Sequence, residues 1–297
     1  MPDQTGRTIL VTGANSGLGV RSAEALAAKG AHVVMACRNE AKAEAARRSV
    51  ADAASGPEPT VVRLDLADLG QVREAAKEVA ATVERLDVLM NNAGVMAIPR
   101  SLTAEGHEMQ FGTNHLGHFA LTGLLLPLLL QAPAPRVVTT SSNAHKVGRM
   151  NWDDLDSEKG YGKWKAYSQS KLANLLFMYE LDRRAEEAGS ELVSAGAHPG
   201  YAATNLTDRP GKRFWNTLAA IGDKIFAQSD AQGALPQLYA ATMPDVTGSD
   251  YWGPAGFREM RGAPTRVKST ARARDEADAS GLWQISERLT GVTYDWG

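Results

Sequence analysis

The 297-residue chain reads as one doubly wound α/β domain, on three observations. Six short runs rich in β-branched residues lack the polar alternation of a half-solvated strand, so both of their faces are buried. Longer runs rich in Ala, Glu, Lys, Arg and Leu separate them, and this alternation implies right-handed crossovers and a parallel sheet with helices on both sides. A glycine-rich turn joins the first strand to the first helix.

In order, residues 8–12 (TILVT) form the first strand and residues 19–29 the first helix. The second strand is 32–37 (HVVMAC), followed by a helix over 39–53. The surface turn 55–59 (SGPEP) leads into a strand at 60–64 (TVVRL) and a helix at 68–85. Residues 87–90 (DVLM) are the fourth strand, and a long apolar helix is expected over 103–130, ended by 131–135 (QAPAP). Residues 136–140 (RVVTT), the helix 164–187 and the strand 191–197 (ELVSAGA) complete the regular part.

After Thr204 the rhythm loosens. Residues 207–213 read as loop, 214–226 and 231–242 as helices, and 249–257 (SDYWGPAGF) as a strand with a turn. The last thirty residues read as polar and irregular. No composition shift marks a linker, so residues 1–297 are taken as one domain, with a core at about 7–205 and a substrate lid with C-terminal elements over 206–297.

Composition excludes several classes of partner. A formal net charge of -2 and a pI near 6.3 argue against nucleic acid and anionic membrane. The greasiest stretch, 121–130, falls well short of the roughly 18 apolar residues of a membrane span, and no secretory signal is visible. Cys37 is the one cysteine, which rules out an intrachain disulfide and fits a reducing compartment. Cytoplasmic location and no membrane anchor are the resulting expectations.

The first strand runs into Thr12, Gly13, Ala14, Asn15, Ser16, Gly17, Leu18 and Gly19. Glycines at such a turn allow a tight bend, close approach to a pyrophosphate and close helix–strand packing. The helix N-terminus adds free N–H groups for phosphate. The second strand ends at Cys37, Arg38 and Asn39. An acid there would bind a ribose 2′-OH, whereas an arginine suits a 2′-phosphate. The expected cofactor is therefore NADP(H), with NAD(H) as second choice. The third strand ends at Asp65 and Leu66, and the fourth runs into Asn91, Asn92, Ala93 and Gly94. These are carboxyl ends of strands, where ligands of such sheets bind.

Tyr167 and Lys171 stand four apart in a helical stretch and share one face. A free phenol, with a pKa near ~10, is a poor base at neutral pH, and a nearby cation can lower it by roughly 1–3 units. Such a phenol gives a proton when a carbonyl is reduced and takes one when an alcohol is oxidised. The fifth strand ends at Thr140, Ser141 and Ser142, where a hydroxyl could hold the substrate oxygen.

With these motifs in this order, and with Asn91–Gly94 and His198-Pro199-Gly200, the chain resembles the short-chain dehydrogenase/reductase family over about residues 7–205. The resemblance implies a Rossmann-type fold and residue roles. Tyr167 would be the acid/base, and Lys171 would lower its pKa and bind the nicotinamide ribose. Ser142 would orient the substrate oxygen, with Ser141 as the alternative, and Asn114 would support a water-mediated proton relay. Gly13, Asn15, Ser16, Gly17, Leu18 and Gly19 would hold the pyrophosphate, and Arg38 and Asn39 the adenosine phosphate side. Asp65 and Leu66 would meet the adenine, Asn92, Ala93, Gly94 and Val95 the adenosine ribose side, and Pro199, Gly200 and Thr204 the nicotinamide.

Residues 143–164 look like an insertion beside the substrate. With residues 36–39 (ACRN) and 249–257, they make the chain similar to the retinol dehydrogenase and WW-domain oxidoreductase branch. Some members of that branch carry membrane anchors, whereas this sequence starts at its first strand. That difference weighs against a retinoid, and a bulky or apolar alcohol, ketone or aldehyde is the expected substrate. Family likeness also implies a homodimer or homotetramer through the long helices.

His107, His115, His118, His145 and His198 form no convincing ligand set, so no metal is expected. Trp152, Trp164, Trp215 and Trp252 are candidates either for an apolar pocket or for packing, and Asp153, Asp154 and Asp156 read as a solvated loop. The reading is an NADP(H)-dependent alcohol dehydrogenase or carbonyl reductase. Its competitors are a non-catalytic nucleotide sensor and a lyase or epimerase on the same fold.

Overall fold

The computed structural model describes residues 1–200 and 229–297. β1 (Thr8–Thr12) lies between β2 (His32–Cys37) and β4 (Val88–Asn91), parallel to both. β3 (Thr60–Arg63) extends the sheet beyond β2, while β5 (Arg136–Thr140), β6 (Val193–Ala197) and β7 (Tyr251–Pro254) extend it beyond β4, all parallel. A last short strand, β8 (Pro264–Arg266), pairs antiparallel with β7. The order is thus β3-β2-β1-β4-β5-β6-β7-β8, and it reverses direction between β1 and β4. Ligands of such sheets bind at that switch, outside the carboxyl ends of the strands.

Alternate residues of β1 feed two apolar layers. Ile9 and Val11 pack with α1 (Gly17–Ala27) and α2 (Glu40–Ala53), and Leu10 with α3 (Leu69–Thr82) and the long helices of the other face. Asn39 caps α2 by accepting from the Lys42 N–H, and Asp68 caps α3 by accepting from the Gln71 N–H. The helix expected from residue 103 begins later. Thr103 to His107 form a tight turn closed by backbone bonds, with Gly106 left-handed at φ 89°. The helix then runs as α4 (Met109–Phe111), a wide π-type turn (Gly112–Leu116) and α5 (Gly117–Leu129). α6 (Lys163–Glu187) lies beside α5.

In the C-terminal third, α7 (Asp230–Gly233) and α8 (Leu235–Thr242) cover the expected helix at 231–242. The loop and helix expected over 207–226, with Thr204 and Trp215, lie outside the described residues. The last thirty residues, expected to be irregular, contain α9 (Glu276–Thr290). Asp275 caps it through the Asp278 N–H, and left-handed Gly291 ends it at φ 63°. Its buried stripe (Ala279, Leu282, Trp283, Ser286, Thr290) keeps the three-and-four spacing of a helix beneath a charged outer face. Trp283 packs against Phe119 and Phe177, at ring-centre distances of 5.0 and 5.9 Å. Beyond it, Tyr294 donates to the Phe119 carbonyl and lies over Gly123, where a Cβ would come within 2.7 Å of its ring. The apolar stretch 121–130, expected to serve burial or subunit contact, packs in one core layer with α3, and the chain's own C-terminus covers it at Gly123. Among the described residues no helix is long and apolar enough to cross a membrane.

Candidate functional site

The turn after β1 is shaped by its glycines. Gly13 and Gly17 are left-handed, at φ 68° and 53°. A Cβ on Gly19 would stand 2.2 Å from the Gly13 carbonyl oxygen, so only glycine lets α1 start this close to the strand. α2 and α3 have side-chain caps, but Ser16 makes no cap bond to α1. The first-turn N–H groups of α1 therefore remain for an anion.

A cavity of about 640 Å³ opens above this turn. Gly13, Asn15, Ser16, Gly17, Leu18, Gly19, Arg38, Asn39, Asp65, Leu66, Asn92, Ala93, Gly94 and Val95 all line it. These are all the cofactor residues expected ahead of α6. A cavity of that size, with an uncapped helix end and a glycine floor, fits a dinucleotide.

Thr12 ties the floor together. Its Oγ1 accepts from the Asn92 and Ala93 N–H groups at 3.0 and 2.9 Å and meets His118 Nε2 at 2.9 Å. Burial brings His118 down to about 4, so it is neutral, and its Nδ1 lies 3.0 Å from the Asn114 carbonyl.

The sequence reading missed Lys42 and Thr113, which also line the cavity. Lys42 stands four residues after Arg38, on the first turn of α2, and that spacing was the available signal. Among the described residues neither cation has an ion-pair partner. Cys37 occupies the position where an acid would sit and is buried.

At the far end, Lys171 Nζ would lie 3.5 Å from a Cβ on Gly94, which links the cavity to α6. Lys171 donates to the Thr140 carbonyl at 3.1 Å, and its Nζ lies 5.9 Å from the centre of the Tyr167 ring. Tyr167 is 8% exposed. Burial pushes its phenol above the ordinary value, and the Ser142 hydroxyl draws it part of the way back. Burial brings Lys171 down to about 8. Lys171 was expected to lower the tyrosine; here burial dominates at the phenol, and the ammonium is turned toward the Thr140 carbonyl.

Ser141 donates its hydroxyl to the Lys171 carbonyl at 2.7 Å, so of the two serines Ser142 is the one left facing Tyr167. Asn114 sits in the wide turn, a device frequent at functional sites. Both of its amide hydrogens are used, Nδ2 donating to Val95 O and to Ser170 Oγ, and Oδ1 accepts from the Val95 N–H. Its backbone carbonyl lies 3.0 Å from His118 Nδ1. Pro199 and Gly200 follow β6, and Gly200 is left-handed at φ 71°.

Residues 143–164 are pinned rather than free. Asp156, expected to be solvated, accepts from the Glu108 N–H at 2.8 Å and pairs with His107 at 3.3 Å. Tyr161 donates to the Ile98 carbonyl at 2.9 Å. Trp252 is buried against Tyr239 and belongs to the core, whereas Trp164 is half exposed with its ring 6.1 Å from that of Tyr167. His115 and His118 are buried and bonded to Ser286 and Thr12.

The model of the short chain dehydrogenase family matches residues 7–213. Human retinol dehydrogenase 14 is 42% identical, covering 97% of this chain and 87% of that protein. An uncharacterised protein from Mycobacterium paratuberculosis, of known crystal structure, is 45% identical with a TM-score of 0.82, over 99% of this chain and 97% of that one. A short chain dehydrogenase from Escherichia coli CFT073, complexed with NADPH, is 29% identical with a TM-score of 0.55, over 68% of this chain and 79% of that one.

Proposed function

The chain belongs to the short-chain dehydrogenase family, whose members bind NAD(P)(H) and carry out hydride-transfer oxidoreduction, and we propose that it is an NADP(H)-preferring alcohol dehydrogenase or carbonyl reductase with Tyr167 as its acid/base. The observation that carries this reading is the grouping of Tyr167 with Ser142 and Lys171, with Lys171 reaching Gly94 in the wall of the dinucleotide-sized cavity. The nicotinamide, when bound, supplies or accepts the hydride at the substrate carbon.

Tyr167 Oη gives its proton to the substrate oxygen in reduction and takes it back in oxidation. A buried phenol that keeps its proton above its ordinary pKa is ready for the reducing half without prior ionisation. Ser142 Oγ holds the same oxygen, which fixes the path of the proton. Lys171, held by Thr140, stands behind the tyrosine and carries the positive charge that stabilises a phenolate once the proton has left. Asn114 braces Val95 against α6 through Ser170, and its carbonyl is the acceptor for a relay to solvent.

The preference for a 2′-phosphate is supported by Arg38 and Lys42 at the cavity rim and by the absence of an acid at the end of β2. Gly13 to Gly19 and the α1 N-terminus hold the pyrophosphate, Asp65 and Leu66 the adenine side, Asn92 to Val95 the ribose side, and Pro199, Gly200 and Thr204 the nicotinamide. For the substrate, the likeness to retinol dehydrogenases and the half-exposed Trp164 beside Tyr167 support a bulky apolar alcohol or aldehyde, retinol and retinal included. Cytoplasmic residence belongs to the same proposal and rests on the single cysteine. A substrate-covering role is proposed for the stretch after residue 205, except that α8 and α9 pack into the two core layers.

The test is a panel of retinoids, aliphatic and aromatic aldehydes, ketones and alcohols, assayed with both cofactors by the absorbance of reduced nicotinamide. Turnover of an apolar member with NADPH at least tenfold better than with NADH is expected. Tight NADPH binding without any turnover would favour the sensor instead.

A further inference from the structure

Three loops meet beside the catalytic end, and one carboxylate joins them. Ser142 opens the short turn Asn143–Lys146, and Lys146 closes it. His198, fully buried, follows β6 just before Pro199 and Gly200. After β7 the chain makes a turn in which both Arg258 and Glu259 are left-handed, at φ 51° and 58°. Neither is glycine or asparagine, and such outliers persist only where the surroundings hold them.

Backbone bonds close the turn itself, from the Glu259 N–H to Gly256 O and from the Gly256 N–H to Arg261 O, and the Glu259 side chain ties it to its neighbours. Its Oε2 accepts from Lys146 Nζ at 2.9 Å and stands 3.1 Å from His198 Nε2. The Gly200 N–H donates to His198 Nδ1, so the ring hydrogen sits on Nε2, facing the carboxylate. That second contact is short but poorly aligned, so the Nε2–H faces the carboxylate without making a linear hydrogen bond. The His198 ring and Lys146 keep the Glu259 carboxyl at about 2, so it is ionised at any working pH. Backbone packing completes the junction. A Cβ on left-handed Gly200 would come 2.9 Å from the Glu259 carbonyl oxygen, and one on Gly253 would come 2.1 Å from His198 Nε2.

We propose that Glu259 is a positioning residue, a clasp that ties the turn carrying Ser142 to the loop carrying Pro199 and Gly200. Through it the substrate-oxygen wall and the nicotinamide wall keep one separation. The clasp rests on the roles given above to Ser142 and to the loop after β6. It touches neither substrate nor cofactor, and its effect is on the alignment of the reacting atoms. A misplacement of about 1 Å costs on the order of 100-fold in rate.

The experiment compares the full chain with Glu259→Ala, Glu259→Gln and Lys146→Met. Amide hydrogen exchange is read on the cofactor-free protein, NADPH affinity by fluorescence, and kcat and KM with the carbonyl the unaltered chain reduces fastest. In Glu259→Ala, exchange should rise at least tenfold both in residues 145–148 and at Gly200. kcat should fall roughly 10- to 100-fold, while the NADPH dissociation constant moves less than about threefold. Glu259→Gln, which can still accept from one donor, should recover part of kcat. Lys146→Met should loosen 145–148 alone. Unchanged exchange at either segment, or an unchanged kcat, in folded Glu259→Ala overturns the clasp. Should Glu259→Ala not fold, retained protection of 145–148 in Lys146→Met overturns it. If the unaltered chain reduces no carbonyl, the enzymatic reading fails, and the exchange data still decide the clasp.

Discussion

The Lys171 ammonium lies 5.9 Å from the centre of the Tyr167 ring and donates to the Thr140 carbonyl at 3.1 Å, so the end of β5 sets how closely cation and phenol approach. Both groups are buried, and burial disfavours charge on each. The phenol holds its proton above its ordinary value of 10.0, and the lysine releases its own at about 8 instead of 10.5. Between about 8 and 10 the unfolded chain therefore carries a proton on this lysine that the folded chain has lost. The residue's contribution to stability consequently rises with pH across that window. Denaturant unfolding of the cofactor-free chain and of Lys171→Met, near pH 7.5 and 9.5, should show a steeper rise in the unaltered chain, on the scale of ~1 kcal/mol per pKa unit. Parallel pH slopes would mean the ammonium is solvated.

Arg38 and Lys42 stand at the cavity rim without ion-pair partners among the described residues. A charge-assisted hydrogen bond is worth roughly 1.5–3 kcal/mol, about 10- to 100-fold in affinity. Arg38→Ala should weaken NADPH by that factor and NADH by less than about threefold. Lys42→Ala should act in the same direction but more weakly, because an ammonium cannot grip phosphate bidentately. Equal losses for both cofactors, measured by fluorescence titration, would contradict a 2′-phosphate site.

Gly19→Ala puts a methyl group 2.2 Å from the Gly13 carbonyl oxygen, which is backbone and cannot swing aside. The α1 N-terminus must then retreat from the turn. NADPH affinity should drop at least tenfold, and stability should fall by about 1–3 kcal/mol. An unperturbed dissociation constant would argue that this turn does not hold the cofactor.

Trp283 is buried against Phe119, Phe177 and Tyr294, and Arg184 stacks over it at 4.5 Å. Trp283→Ala should cost about 3–5 kcal/mol in urea unfolding. Activity at low temperature should be retained, because the tryptophan is not among the residues that line the cavity. A loss under about 1 kcal/mol would show that α9 is only loosely docked.

The sheet was legible because its signals are local. The runs 8–12, 32–37 and 136–140 are strands at those same residues, since uninterrupted β-branched sequence has few other uses inside a domain. The glycine turn was legible for the same reason. What escaped depends on tertiary context. α9 is amphipathic under a charged exterior, and only docking against Phe119 and Phe177 reveals its apolar stripe. The late start of α4 follows from the turn at Gly106, whose backbone bonds compete with helix. β8 is three residues long and is specified by its pairing with β7. Asp156 looked solvated in an acidic run, and only the fold brings His107 and the Glu108 N–H to it. For Tyr167 the spacing to Lys171 was legible, but the balance between burial and charge was not, since burial is a property of the whole molecule.

The decisive measurement is the loss of reduced-nicotinamide absorbance on mixing NADPH and an apolar aldehyde with the unaltered chain and with Tyr167→Phe side by side. Positioned proton transfer contributes roughly 10²–10⁴-fold to such a rate. The phenylalanine variant should therefore bind NADPH as the unaltered chain does and turn over at least 100-fold more slowly. Turnover by Tyr167→Phe within a few-fold of the unaltered chain would contradict the assignment of Tyr167 as the proton donor.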